Sequence, residues 1–211
     1  MISLYNITKR YRSKYIFDKA SISFDYRINL LLGANGVGKT TLINILAGLV
    51  KPESGYWSFN QQKISYSDGS YRRRIGFLMD LPNFPYHLNI KEYIELLNAI
   101  YKLNSNDHEK ELMDFFELND YKDSKLKDLS TGFLKRVKLL ASMLHDPEVF
   151  IYDEPFSGLD QAFVPKLVEK IEALNGHKKG FIITSHSEKI NLFNSAQVVR
   201  FEVSNKRLIK L

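Results

Sequence analysis

The chain has 211 residues and a net charge of +6, and 44% of its residues are hydrophobic. This apolar content excludes a disordered chain and is sufficient for a substantial core. The sequence contains no cysteine, which excludes a disulfide framework and a cysteine-ligated zinc site.

Apolar residues nowhere form a run long enough to span a membrane. Residues 1–7 follow a strand-like alternation and lack the features of a secretory signal. The basic residues are dispersed apart from Arg72, Arg73 and Arg74. Dispersed charge favours a solvated edge, or a surface near lipid headgroups, over a nucleic-acid groove. We therefore expect a soluble, cytoplasmic protein, and the charge distribution disfavours nucleic acid as its partner.

Strand patterns dominate the N-terminal third of the chain, and helices follow them. Apolar alternation and short apolar runs predict strands over residues 2–8, 19–25, 28–32, 56–59 and 74–79. Helical periodicity predicts helices over residues 89–103, 107–119 and 131–145. Strands and helices then alternate again, with buried strands predicted over residues 149–152 and 180–184. This order predicts an α/β core interrupted by a helical insert.

A glycine-rich segment lies between the strand at residues 28–32 and a helical pattern at residues 41–47. Residues 33–40 have the sequence Gly-Ala-Asn-Gly-Val-Gly-Lys-Thr. The glycines allow successive backbone N–H groups to point at phosphate oxygens, and the helix N-terminus adds a favourable dipole. Lys39 supplies a cation, and Thr40 supplies a hydroxyl for Mg²⁺. The segment therefore predicts a nucleoside triphosphate site.

Two adjacent acids, Asp153 and Glu154, follow the apolar strand at residues 149–152. The carboxyl end of a strand in an open α/β sheet is where ligands bind. Asp153 can hold Mg²⁺ through the water shell of the ion, and Glu154 can orient or deprotonate an attacking water. Alone, such a pair is more typical of a solvated loop. Together with a phosphate loop, it favours phosphoryl chemistry.

Ser130 precedes the predicted helix at residues 131–145, and Gly132 lies in the first turn of that helix. A serine at a helix N-cap with a glycine nearby leaves hydroxyl and N–H groups that can meet an anion. Alone, the segment is only a good helix start. Its position between the phosphate loop and the acidic pair makes it a candidate for anion binding.

The order of these motifs carries a family resemblance. The phosphate loop is followed by Leu-Ser-Thr-Gly at residues 129–132 and by Asp-Glu-Pro at residues 153–155. Ser-Gly-Leu-Asp at residues 157–160 and a strand that leads to His186 complete the series. In this order the chain resembles the ATP-binding cassette (ABC) transporter ATPases over essentially its whole length.

The resemblance implies an α/β fold with a P-loop (RecA-like) nucleotide-binding core, an antiparallel β-subdomain and an inserted α-helical subdomain. Residues 1–211 would form a single ABC ATPase domain. Residues 1–80 and 146–211 would form the core with its β-subdomain, and residues 81–145 would form the helical subdomain.

The resemblance also implies roles for individual residues. Tyr11 would stack on adenine, Thr41 would contact the α-phosphate, and His186 would hold the γ-phosphate. The residues expected to bind ATP within one subunit are Tyr11, Gly33, Asn35, Gly36, Gly38, Lys39, Thr40 and Thr41. The residues expected to act in catalysis are Lys39, Glu154 and His186.

A second copy of the chain would complete the site. By the resemblance, Ser130 and Gly132 would bind the γ-phosphate of an ATP that is held by the opposite subunit. Asp160 would communicate across the same interface. The expected assembly is a head-to-tail homodimer that encloses two ATP molecules with Mg²⁺.

Three positions depart from the family pattern. The position of Asp80 usually carries glutamine, whereas a branch resembling the bacitracin and lantibiotic immunity exporters has glutamate there. Asp80 would therefore lie near the Mg²⁺ that Thr40 and Asp153 are expected to hold. Thr131 replaces a glycine of the signature, and Phe133 stands where glutamine is common. We expect these departures to slow ATP hydrolysis without abolishing it.

The resemblance implies an ATP-hydrolysing subunit of an exporter, which drives a separate integral membrane permease from the inner face of the cell membrane. Residues 81–88 carry aromatics and prolines; they would either meet that permease or form a rigid connector with inward-facing aromatics. Two alternatives remain: a soluble ABC ATPase without a transport role, and a regulatory nucleotide-binding module that hardly hydrolyses ATP.

Overall fold

The computed structural model describes residues 1–65, 69–79, 83–104, 107–185, 192–194, 198–204 and 206–211. The strands within these ranges are β1 (Ile2–Tyr11), β2 (Lys14–Phe24), β3 (Ile28–Leu32), β4 (Ser54–Phe59), β5 (Gln62–Ile64), β6 (Ile75–Leu78), β7 (Val149–Asp153), β8 (Gly180–Thr184), β9 (Val198–Ser204) and β10 (Arg207–Lys210). The helices are α1 (Lys39–Leu46), α2 (Gly69–Arg73), α3 (Ile90–Tyr101), α4 (Asp107–Phe115), α5 (Thr131–Met143) and α6 (Phe163–Gly176).

The central sheet has six strands in the order β10-β9-β3-β8-β7-β6. Its strands pair in parallel except for β10, which pairs antiparallel with β9. Successive side chains of β7 face opposite sides, so that Val149 and Ile151 join one core cluster while Phe150 and Tyr152 join the other. Because both faces of the sheet are buried, its central strands are mostly apolar, with Asn29 and Thr184 as buried polar residues.

A second sheet is antiparallel and has the order β2-β1-β4-β5. Its inward side chains, among them Leu4, Phe24 and Trp57, share a core cluster with α1 and one face of the central sheet. Residues of α3, α4, α5 and α6 pack on the other face. Since β3, β8 and β7 are parallel neighbours, their carboxyl ends meet at one edge of the central sheet.

The α/β fold predicted from the sequence is confirmed, and the strands predicted at residues 28–32 and 180–184 have the predicted bounds. The strand predicted at residues 19–25 begins earlier, at Lys14, because it pairs with β1 across a tight turn where Arg12 has a φ of 55°. The helix predicted at residues 107–119 is shorter and ends at Phe115.

The cause of this early end is local, because Glu117 takes the left-handed conformation with a φ of 57° and ends the helical path. Similarly, the helix predicted at residues 131–145 ends at Met143. The division of the chain into a core and a helical subdomain at residues 81–145 stays a prediction. Among the described residues, no helix has both the length and the apolar character needed to cross a membrane.

Candidate nucleotide-binding site

The predicted phosphate loop connects β3 to α1 at the carboxyl edge of the central sheet. Two of its glycines are required by the backbone, since Gly33 has a φ of 144° and Gly38 a φ of 118°. A Cβ atom on Gly38 would lie 2.5 Å from Cγ2 of Ile16, and one on Gly33 would lie 2.8 Å from the carbonyl oxygen of Val203. The loop is therefore packed closely against β2 and β9, and side chains at these two positions would disrupt it.

Helix α1 begins at Lys39, directly after the loop, and its N-cap residue is Gly38. In the described part of the chain, no side chain caps this helix, and its first turn contains no acidic residue. The first N–H groups of a helix have no partner within the helix, and the helix dipole makes this end positive. The start of α1 is therefore suited to bind an anion.

The Lys39 side chain folds back over the phosphate loop and is only 8% exposed. Its Nζ donates hydrogen bonds to the carbonyl oxygens of Gly33, at 2.6 Å, and Ala34, at 3.2 Å. These bonds hold the ammonium group at the mouth of the loop. The lysine thus adds a positive charge at the end of α1 that is already positive.

A chain of hydrogen bonds joins the start of α1 to the ends of β7 and β8. Thr40 Oγ1 donates to Asp153 Oδ2 at 3.0 Å, and Thr184 Oγ1 donates to Asp153 Oδ1 at 2.6 Å. The Thr184 hydroxyl in turn accepts a bond from the backbone N–H of Glu154 at 2.9 Å. Mg²⁺ binds oxygen ligands, and here a hydroxyl oxygen and a carboxylate oxygen lie side by side. Thr40 and Asp153 are therefore suitable ligands for this ion.

These residues border a cavity of about 280 Å³, which we call the nucleotide cavity. Nine of its ten lining residues are predicted site residues: Tyr11, Asn35, Gly36, Gly38, Lys39, Thr40, Thr41, Asp153 and Glu154. The tenth is Ile16 on β2, which sequence reasoning missed because its place depends on how the β1–β2 hairpin packs against the loop. Gly33 lies behind the lining, where its carbonyl oxygen accepts the bond from Lys39.

Tyr11 lies at the end of β1 and is 49% exposed at the edge of the nucleotide cavity. The Lys9 ammonium group lies 5.1 Å from the centre of the Tyr11 ring and donates a hydrogen bond to the carbonyl oxygen of Lys51 at 3.1 Å. An exposed aromatic ring beside a phosphate loop provides a surface on which a base can stack. The stacking role of Tyr11 stays a prediction.

Ser130, Gly132 and Asp160 do not line the nucleotide cavity. They belong to the start of α5 and to the adjacent loop at residues 157–160, which together we call the signature cluster. Ser130 is the N-cap of α5, and its Oγ accepts a hydrogen bond from the Phe133 N–H at 3.2 Å. A Cβ atom on Gly132 would lie 3.0 Å from the carbonyl oxygen of Gly158. The glycine therefore lets the first turn of α5 approach the loop at residues 157–160.

Asp160 is held from both sides in this cluster. Its Oδ1 accepts a hydrogen bond from the Phe163 N–H at 2.8 Å, and its Oδ2 accepts one from Arg136 Nη2 at 2.6 Å. The hydrogen bond from Arg136 holds the pKa of Asp160 below its ordinary value. Arg136 is almost fully buried and also bonds Glu117, which links α5 to the segment after α4.

His186 and Asp80 lie outside the described residues, so their predicted places at the γ-phosphate and near Mg²⁺ stay predictions. Residues 81 and 82 of the segment predicted at 81–88 also lie outside them. In the remainder of that segment Phe84 is buried and packs 5.3 Å from the Tyr93 ring, whereas Tyr86 is 43% exposed. The segment thus combines an inward aromatic side chain with an outward one.

A second cavity, of about 260 Å³, lies between β6, α3 and α5, and we call it the apolar groove. Its lining is mainly aliphatic and aromatic and includes Leu49, Phe77, Phe84, Tyr93 and Tyr101. Leu49 is 47% exposed at this groove. The groove therefore exposes apolar surface beside basic side chains such as Arg72 and Lys138.

A glycine-rich turn between a strand and a helix of a parallel sheet, with lysine and threonine at its end, defines the class of P-loop nucleotide-binding domains. A family model described as "ABC transporter" matches residues 22–157. The chain therefore belongs to the ABC transporter family and is an ABC-type ATPase domain.

Individual relatives agree with this assignment. The chain is 31% identical to the zinc import ATP-binding protein ZnuC of Rickettsia conorii, over 94% of this chain and 82% of that protein. It is 28% identical to the Nod factor export ATP-binding protein I of Burkholderia orbicola, over 88% of this chain and 62% of that protein. Other similar relatives are also longer, and the chain spans 60–70% of their length.

A solved structure has the same fold. It is the dimeric structure of a post-hydrolysis state of an ATP-binding cassette bound to ADP and inorganic phosphate. Its TM-score with this chain is 0.85 at 23% identity, over 100% of this chain and 99% of that one. The P-loop fold predicted from the resemblance is thereby confirmed.

Proposed function

We propose that this chain is the ATP-binding and ATP-hydrolysing subunit of an ABC transporter. The observation that carries this proposal is the nucleotide cavity, in which nine residues predicted from separate parts of the sequence line one space. The phosphate loop, the Lys39 ammonium group and the start of α1 bind the phosphates, and Tyr11 stacks on the base.

Phosphoryl transfer depends mainly on positioning and charge stabilisation. Thr40 and Asp153 would hold Mg²⁺, which when bound neutralises charge on the β- and γ-phosphates. Glu154 orients the attacking water and accepts its proton, because it follows Asp153 at the end of β7 and lines the same cavity. Lys39 stabilises the charge that develops on the phosphates.

The active assembly in this proposal is a head-to-tail homodimer around two ATP molecules. Ser130 and Gly132 lie outside the nucleotide cavity of their own subunit, which is the arrangement expected if they complete the cavity of a second copy. The similar cassette described above as dimeric supports the same assembly. Closure of the dimer around ATP is then the step that generates force.

We further propose that a separate membrane permease contacts the apolar groove from the inner face of the membrane. The groove combines an apolar lining with the neighbouring exposed ring of Tyr86. Export is the proposed direction, on the resemblance to the bacitracin and lantibiotic branch and on the similar Nod factor export protein.

Measurement of phosphate release by the purified chain with ATP and Mg²⁺ tests the proposed chemistry. We expect hydrolysis by the wild type and a loss of about 100-fold or more in Lys39→Ala, because that change removes a charge that stabilises the transferred phosphoryl group. Binding of ATP without measurable hydrolysis would instead support the regulatory module.

Co-purification from membranes tests the proposed partner. Leu49→Glu places a charge on the apolar groove and should abolish capture of a multi-span protein, while phosphate release by the isolated chain is retained. Ile209→Glu is a matched control, because Ile209 is 44% exposed on β10, away from the groove. Absence of any multi-span protein with the wild type would favour the soluble alternative.

A further inference from the structure

Thr184 is the last residue of β8, and its side chain is fully buried between the two acids of the candidate site. The sheet register places Thr184 directly beside Asp153 on β7. Thr184 is part of the strand predicted at residues 180–184, but the family resemblance implies no role for it. Its hydroxyl nevertheless contacts both Asp153 and Glu154.

The directions of these two hydrogen bonds are determined by the single proton of the hydroxyl. The Thr184 hydroxyl donates this proton to Asp153 Oδ1 at 2.6 Å. A lone pair of the same oxygen then accepts the N–H of Glu154 at 2.9 Å. Since a backbone N–H can only donate, the arrangement has one consistent proton assignment.

Both bonds act on the geometry of the candidate site. The hydrogen bond to Oδ1 fixes the rotation of the Asp153 carboxylate, so that Oδ2 faces Thr40. Asp153 Oδ2 and Thr40 Oγ1 are the two oxygens that would bind Mg²⁺. The bond from the Glu154 N–H holds a residue whose φ of 48° lies in the left-handed region. Such a conformation is unfavourable for a residue with a side chain and persists only where its surroundings impose it.

We propose that Thr184 is a positioning residue that sets the orientation of the Asp153 carboxylate and of the Glu154 backbone for Mg²⁺-dependent ATP hydrolysis. This inference rests on the proposed function. Thr184 makes no contact with the nucleotide cavity itself and acts through the two acids. Groups behind metal ligands commonly alter metal affinity or activity by about 10–100-fold.

The test compares Thr184→Val with Thr184→Ser in the full chain. Valine has nearly the same volume and the same β-branching, but it cannot donate or accept a hydrogen bond. Serine retains the hydroxyl. Isothermal titration with the slowly hydrolysed ATP analogue AMPPNP, in Mg²⁺ and in EDTA, measures how much the metal increases nucleotide affinity.

For Thr184→Val we expect the gain in affinity from Mg²⁺ to fall by about 10-fold, while the affinity in EDTA stays within about twofold of the wild type. The kcat for ATP should fall by about 10–100-fold, and the Mg²⁺ concentration for half-maximal rate should rise. Thr184→Ser keeps the hydroxyl, so its gain in affinity from Mg²⁺ and its kcat should stay close to those of the wild type. Should Thr184→Val not fold, Thr184→Ala removes the same hydroxyl and has the same expected result.

Ile182→Val is the matched control, because Ile182 is fully buried on the same strand and on the same face as Thr184, but its hydrocarbon side chain forms no hydrogen bond. The inference would be overturned if Thr184→Val showed the same gain in AMPPNP affinity from Mg²⁺, and the same kcat, as the wild type. It would also be overturned if Thr184→Val lost AMPPNP affinity equally in Mg²⁺ and in EDTA, with a lowered Tm, and if Ile182→Val had the same effect. A wild-type chain that binds no AMPPNP would instead refute the proposed function, on which the inference depends.

Discussion

At the scale of single residues, the tightest point of the candidate site is the contact of Gly38 with the β1–β2 hairpin. Gly38→Ala would bring a Cβ atom to 2.5 Å from Cγ2 of Ile16, at a φ of 118° that side chains rarely adopt. We expect a loss of stability of about 1–3 kcal/mol and at least about 10-fold weaker binding of AMPPNP, because the start of α1 must shift. Thermal unfolding and isothermal titration measure both effects.

The control for this change is Gly69→Ala at the start of α2, where a Cβ atom would have no neighbour within 4 Å among the residues that the structure describes. Alanine is also the better helix former. We therefore expect unchanged AMPPNP binding and a Tm no lower than that of the wild type. A Gly38→Ala variant as stable as Gly69→Ala would contradict the close-packing argument.

At the scale of elements, Arg136 on α5 joins three parts of the fold. Its guanidinium group bonds Glu117 after α4 and Asp160 before α6, and it lies 4.0 Å from the centre of the Phe163 ring. Arg136→Met keeps an apolar side chain of similar length but removes both ion pairs. Because Glu117 and Asp160 are about half exposed and regain water, we expect a modest loss of about 1–2 kcal/mol in the free energy of unfolding.

Urea unfolding at neutral pH measures this loss. Lys166→Met is the control, because Lys166 also bonds Glu117 but is 56% exposed. Exposed ion pairs contribute little, so we expect a change of less than about 0.5 kcal/mol for that variant. Equal losses in the two variants would contradict the importance of the buried guanidinium group.

The same ion pairs make the stability depend on pH. Hydrogen bonds from Lys166 and Arg136 hold the pKa of Glu117 below 4.5, and the hydrogen bond from Arg136 holds the pKa of Asp160 below 3.8. Folded-state pKa values below the unfolded ones mean that the ionised acids stabilise the fold above those ordinary values. This contribution is lost as the pH falls through the folded pKa values.

We therefore expect the difference in unfolding free energy between the wild type and Arg136→Met to be constant at neutral pH and to shrink below about pH 4.5. Urea titrations at a series of pH values measure the difference. If the difference in unfolding free energy stayed constant down to about pH 3, Arg136 would stabilise the fold through packing alone.

The local motifs were predictable because each depends on residues that are adjacent in the sequence. The phosphate loop needs only a glycine pattern between a strand and a helix, and Ser130 needs only to precede a helix. Thr184, Ile16 and Arg136 were not predictable in the same way. Their roles depend on the register of β7 with β8, on the packing of a hairpin and on an ion pair between distant elements.

At the scale of the whole molecule, the nucleotide cavity and the signature cluster are separate surfaces of one subunit. Asp160 is occupied within its own chain by Arg136 and the Phe163 N–H, which ties the loop at residues 157–160 to α5 and α6. The position of this loop therefore depends on both helices. In a homodimer, that coupling would carry a change at the signature cluster of one subunit to the nucleotide cavity of the other.

The dimer leads to the last prediction. Glu154→Gln retains the shape of the side chain but removes the carboxylate that accepts a proton from water, so ATP should bind and remain uncleaved. We expect this variant to form a stable dimer with ATP and Mg²⁺, at twice the chain mass of 24.5 kDa, and to be monomeric with ADP. Light scattering after size-exclusion chromatography measures the mass.

Adding Ser130→Arg to the same variant introduces a bulky side chain at the signature cluster and should prevent the dimer while AMPPNP binding persists. If Glu154→Gln binds ATP but remains a monomer, the head-to-tail assembly is wrong.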